Sequence, residues 1–174
     1  MAKNITFSQF FPSKHPGSGM PTHFVEMMCY AFGYNVANSI YLMNLYHWNE
    51  DKLQSGKLTI EQLGRFADGL NDNVERRKTT TIRKGNHWNV GDVFQPVVWS
   101  GKPYVSPQIR FLPEIIVEGV SNYKVENYVH YENDYELLTN EKISIAVFDG
   151  LDVFDFQHWF SANFDGQRIF FNTK

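Results

Sequence analysis

Lys78, Thr81 and Arg83 put an amine, a hydroxyl and a guanidinium inside one β-branched run, Lys78-Thr79-Thr80-Thr81-Ile82-Arg83. Side chains alternate along a strand, so Thr81 shares a face with Arg83, and a twist where the strand begins brings the Lys78 amine to the same pocket. Such a trio is reactive, because a hydroxyl becomes a nucleophile once a neutral amine takes its proton. The bland alternative is a good β-strand with a snorkelling lysine at its edge.

Charge gathers at the same place. Arg76, Arg77, Lys78, Arg83 and Lys84 set five of the 16 basic residues within nine positions of a chain whose formal net charge is −3. That near balance excludes a histone-like or tail-driven polyanion binder, and leaves a local basic mouth for a phosphate or RNA backbone, or else one solvated face. Residues 114–155 run the other way, with ten acids against Lys124 and Lys142. Trp88, Trp99 and Tyr104 stand beside the basic segment, where an aromatic face can stack a base, and Trp99 is the preferred pocket wall. His47-Trp48, His87-Trp88 and His158-Trp159 lack the spacing of a zinc site, so no metal is expected and no cofactor is called for. His15-Pro16-Gly17-Ser18-Gly19 lacks the Lys-Ser/Thr ending of a phosphate loop and reads as a turn.

The elements that must position these residues divide into two halves. At helical spacing Val25, Cys29, Phe32, Val36, Ile40 and Met43 fall on one face and Tyr30, Tyr34, Tyr41 and Leu45 on another, which predicts a helix covered on both sides. A second copy of the chain is one candidate for the outer cover, so a homo-oligomer through residues 22–46 is an open expectation. Residues 27–46 carry no formal charge, but Asn35, Asn38, Ser39 and Asn44 argue against a membrane span. Thr59 and Gln62 have the spacing of a capping box ahead of Leu63, Phe66 and Leu70, and a second helix follows. From Lys78 onward the texture is β, with runs at 79–82, 93–99, 109–117 and 123–131, short helices at 139–148 and 152–160, and a closing strand at 168–172. The 174 residues suit one domain, and the lone Cys29 fits a reducing cytosol, so a cytoplasmic protein is expected.

The segment Lys78 to Arg83, followed by Trp88-Asn89-Val90-Gly91-Asp92-Val93 and Trp99-Ser100-Gly101, resembles the ASCH family of PUA-like barrels, whose signature is Lys-x-x-[Glu/Thr]-x-Arg before a Gly-Asp turn. Within it the chain is most similar to the small bacterial amidohydrolases that deacetylate N4-acetylcytidine. Ile5-Thr6-Phe7 is similar to their first strand. Their catalytic Lys and Thr fall on Lys78 and Thr81, and the best positional match to their Glu is Asp149, in Asp149-Gly150-Leu151-Asp152. Arg76 stands where the family has Gly, which adds to the basic run.

The resemblance implies an α+β fold, a small PUA-like (ASCH) mixed β-barrel over residues 75–172 with a helical insertion near 22–70, all one domain. The leading functional expectation is binding of RNA or a modified nucleobase or nucleoside by Lys78, Thr81, Arg83 and Asp149, with Arg76, Arg77, Lys84 and Trp99 contributing to the ligand site. The alternative is a metal-independent amidohydrolase acting on N4-acetylcytidine-type substrates. There Thr81 attacks the acetyl carbonyl, Lys78 accepts its proton, and Asp149 orients water or protonates the leaving amine. An ordinary lysine titrates near ~10.4, so burial or the adjacent Arg77 and Arg83 must lower it. A third expectation is a protein-interaction module that uses the helix of residues 22–46.

Overall fold

The computed structural model describes residues 2–161 and 163–171. Strand β1 (Lys3–Thr6) leads to four helices, α1 (Phe24–Ala31), α2 (Ser39–Trp48), α3 (Glu50–Gln54) and α4 (Ile60–Asp68). Seven strands follow: β2 (Thr80–Lys84), β3 (Val93–Trp99), β4 (Gln108–Arg110), β5 (Ile115–Ile116), β6 (Gly119–Glu126), β7 (Val129–Glu132) and β8 (Tyr135–Glu136). Helices α5 (Thr139–Phe148) and α6 (Val153–Trp159) come before the last strand, β9 (Phe164–Phe170). The fold class is therefore α+β.

The strands form two sheets, and among the described residues neither closes into a barrel. One is four-stranded, with β3 flanked by parallel β1 on one side and antiparallel β4 and β5 on the other. The other is an antiparallel sheet of five strands in the order β2-β9-β6-β7-β8. Directly paired residues share a face, so Thr81 and Arg83 lie with Ile169 and Gln167, whereas Thr80 and Ile82 lie with Phe170 and Arg168. The face bearing Ile169 looks toward the four-stranded sheet, where Phe171 meets Phe94 and Trp88 meets the same ring. The opposite face is closed by α6, whose Phe156 packs edge-on against Tyr123 of β6.

Four sequence expectations need correction. The continuous helix over residues 22–46 is two helices, because Gly33 takes φ 76° and Asn38 caps α2 by accepting a hydrogen bond from the Ile40 amide. The break resets the helical phase, so Tyr41 and Leu45 are buried while Ile40 and Met43 are 63% and 72% exposed. The strand read over 123–131 is a hairpin, in which Asn127 and Tyr128 both adopt positive φ and turn β6 into β7. The run at 109–117 is split into β4 and β5 around Pro113, which has no amide hydrogen to give a ladder. The closed barrel is replaced by the two sheets.

Of the remaining elements, 93–99 and 139–148 match β3 and α5, the closing strand runs from Phe164 to Phe170 rather than over 168–172, with Asn172 outside the described residues, and α3 was not expected. Thr59 and Gln62 exchange both hydrogen bonds of a capping box at the start of α4. Among the described residues, no helix is long and apolar enough to cross a membrane.

Candidate functional site

Lys78 lies just before β2, in backbone threaded between α1, the end of α5 and the residue after β9. Its amide donates to Met27 O in the middle of α1, the Thr79 amide donates to Phe148 O at the end of α5, and Thr79 O accepts from the Phe171 amide. Asp149 is fixed by the way α5 stops. Gly150 takes φ 81° and donates to Val147 O, and the Leu151 amide donates to Ala146 O, the paired bonds of a Schellman ending. Glycine is required twice over here, since a Cβ would meet Met27 Sδ at 2.9 Å and Lys78 Cβ at 3.4 Å. The turn thereby presses Asp149 against the lysine.

Lys78 Nζ stands 2.7 Å from Asp149 Oδ1, with the two residues 1% and 4% exposed. The same amine donates to the Asp149 carbonyl oxygen, and the Phe24 ring centre lies 4.3 Å away. The ammonium thus completes the C-terminal end of α5, where unpaired carbonyls favour a cation. Burial lowers the Lys78 pKa to about 8 against the opposing pull of Asp149. Burial also raises Asp149, while Lys78, Arg83 and Arg168 hold it down. Burial thus works against the charge on both partners, and the lysine is less firmly protonated than in water.

Arg83 is half-buried, its guanidinium 4.9 Å from the centre of the Phe7 ring. Burial lowers its pKa to about 10, which still leaves it charged. It has no ion pair among the described residues, and its Nε has no hydrogen-bond partner there. Thr81 is buried on the Arg83 face, and among the described residues its hydroxyl makes no hydrogen bond to Lys78.

A third buried cation escaped the sequence reading. Arg168 of β9 places Nη1 3.3 Å from both carboxylate oxygens of Glu132, which also accepts from Ser121 Oγ. The Arg168–Glu132 pair lies on the opposite face of the sheet from Arg83, and both guanidiniums act on Asp149 from beyond ion-pair distance, whereas Lys78 touches it. The signal in the sequence was an arginine inside the apolar closing strand, but its partner lies 36 residues earlier.

The other expected ligand residues are dispersed. Arg76 and Arg77 are exposed, with Arg77 resting 5.7 Å from the Tyr30 ring centre. Lys84 is exposed at the far end of β2, up to ~23 Å from Arg77 at ~3.3 Å per residue. The basic run is consequently not one surface patch, because Lys78 turns inward and Arg83 is half-covered.

Trp99 lies near Tyr104, with ring centres 5.4 Å apart, and lines a cavity of about 850 Å3 together with Phe7, Phe10, Phe11 and Phe66. Phe7 also faces the cations, 4.9 Å from Arg83 and 6.0 Å from Lys78 Nζ. It forms the wall between the aromatic cavity and the charged cluster. Comparison with known proteins gave no match to a family model, a curated protein or a solved structure.

Proposed function

We propose that the protein binds a nucleobase-like ligand, RNA or a modified nucleoside, at the cluster of Lys78, Thr81, Arg83 and Asp149. None of these four residues lines the aromatic cavity on the other side of Phe7, so a ligand entering there reaches Arg83 only when the Phe7 ring swings aside. The scaffold is read as an ASCH/PUA-like barrel that is left open as two sheets and carries the helices of residues 22–70. The observation that carries this reading is the buried Lys78–Asp149 pair beside Arg83, whose guanidinium makes no ion pair at contact distance among the described residues and whose Nε has no acceptor. Buried ion pairs add little stability compared with apolar residues of the same shape, and strongly shifted titrating groups gather at functional sites. A ligand with a carbonyl edge or a phosphate would give Arg83 the acceptor it lacks. The cavity has the volume of a small-molecule site, and Trp99 offers a plane for a base.

Binding is favoured over hydrolysis in the resting geometry. Two Lys78 donors are engaged by Asp149, the ammonium rests on Phe24, and no Thr81–Lys78 bond exists to pass a proton. The amidohydrolase remains the second reading because Lys78 is drawn down to about 8 and Asp149 is raised, the directions that a base and an acid need. Incubation with N4-acetylcytidine, followed by mass spectrometry, separates the two. Ligand recovered intact but retained by the protein supports binding, and cytidine formed by the wild type but not by Lys78→Met supports hydrolysis. Neither retention nor turnover, with RNA oligonucleotides also unbound, contradicts both.

A further inference from the structure

Thr80 points to the opposite face of β2 from Thr81, alongside Phe170 and Arg168 of β9. A cavity of about 350 Å3 opens there, lined by Thr79, Thr80, Glu118, Phe148, Arg168 and Phe170. Its walls include none of Lys78, Thr81, Arg83 and Asp149, and it does not rest on the nucleobase reading.

Two of these residues hold polar groups that the fold does not satisfy. Thr80 is 3% exposed and Arg168 6%, yet Thr80 Oγ1 and Arg168 Nε have no hydrogen-bond partner among the described residues. Native proteins leave few buried polar groups unmatched, and two beside one cavity suggest a ligand that completes them. The guanidinium is already oriented, with Nη1 tied to Glu132 and the Phe170 ring centre 4.6 Å away. Both polar atoms are covered in the resting geometry, so they meet a ligand in the cavity after side-chain rotation at its wall.

The charge balance limits what can bind. Glu132 already offsets much of the Arg168 charge, and the exposed Glu118 stands at the cavity wall, so a dianion is disfavoured. The half-exposed Phe148 and the Phe170 ring supply apolar surface for a ring-sized body. We propose that this cavity is a site for a small monocarboxylate with an aromatic or branched apolar body. The carboxylate accepts from Arg168 Nε and Thr80 Oγ1, and the body lies against Phe148 and Phe170.

The test is an amide NMR titration with phenylacetate, with 2-phenylethylamine and inorganic phosphate as comparison probes at matched ionic strength. Phenylacetate should give saturable shifts at Thr79, Thr80 and Arg168, and phenylethylamine none. Thr80→Val should weaken phenylacetate about tenfold, the worth of one hydrogen bond to a charged group, without lowering Tm, since the removed hydroxyl had no partner. Phe148→Ala, at a half-exposed position, should weaken it as well. The proposal is overturned if phenylacetate gives no saturable shift up to its solubility, if phosphate or the amine binds as well, or if Thr80→Val binds phenylacetate like the wild type.

Discussion

Lys78 Nζ and Asp149 Oδ1 meet at 2.7 Å across 71 residues of sequence, with neither side chain open to solvent. Removing one partner leaves the other charge buried. Lys78→Met is accordingly expected to lower stability by about 3–5 kcal/mol, while the double change Lys78→Met/Asp149→Leu recovers most of that loss. Urea unfolding of the three proteins reads this directly. A double variant no more stable than the single one would mean that the pair holds the fold through its hydrogen bonds to α5.

Gly150 is the hinge of this arrangement. Its φ of 81° and its approach to Met27 Sδ leave no room for a side chain. Gly150→Ala should cost about 1–2 kcal/mol or more through backbone strain and the displaced turn. It should also weaken ligand binding, because the turn sets the position of Asp149. Unfolding and binding measured on the same variant check both parts.

His130 gives the protein an acid-sensitive buried group. It lies 2.6 Å from the Tyr123 hydroxyl, and burial lowers its pKa from 6.5 to about 4. The unfolded chain binds a proton at this histidine between those two values and the folded chain does not, so stability falls as pH drops from 6.5 toward 4. His130→Gln should flatten this limb of the stability profile. An unchanged profile would assign the acid loss to other groups.

The exposed face of α2 tests the third expectation. Ile40, Leu42, Met43 and Tyr46 are exposed, whereas Tyr41 is buried and donates to Phe111 O. Tyr41→Asp would therefore report on folding rather than on association. If a second copy covers α2, light scattering should show a dimer that Ile40→Asp or Met43→Asp converts to monomer, and a wild-type monomer would exclude this cover.

The parts of the fold that were legible in the sequence are those fixed locally. Thr59 and Gln62 cap α4 through bonds three residues apart, and the β-branched run at 79–82 forms β2 almost where its composition places it. The break at Gly33 was hidden because apolar spacing continues across it. The Asn127-Tyr128 turn was hidden because tyrosine seldom takes positive φ. The cluster depends on long-range pairing: Lys78 and Arg83 came from the motif and Asp149 from a resemblance, but Arg168, Glu132 and the Phe7 wall follow only from how the sheets and helices meet. The same non-local packing disperses the basic run, turning Lys78 and Arg83 inward and leaving Arg76, Arg77 and Lys84 outside.

Titration of labelled protein with N4-acetylcytidine, followed at the Trp99 indole and the Thr81 and Arg83 amides, tests the proposed site most directly. Saturable shifts at these positions, lost in Arg83→Gln and reduced in Trp99→Ala, are the predicted result. Absence of shifts there with N4-acetylcytidine, cytidine and short RNA alike would contradict the account.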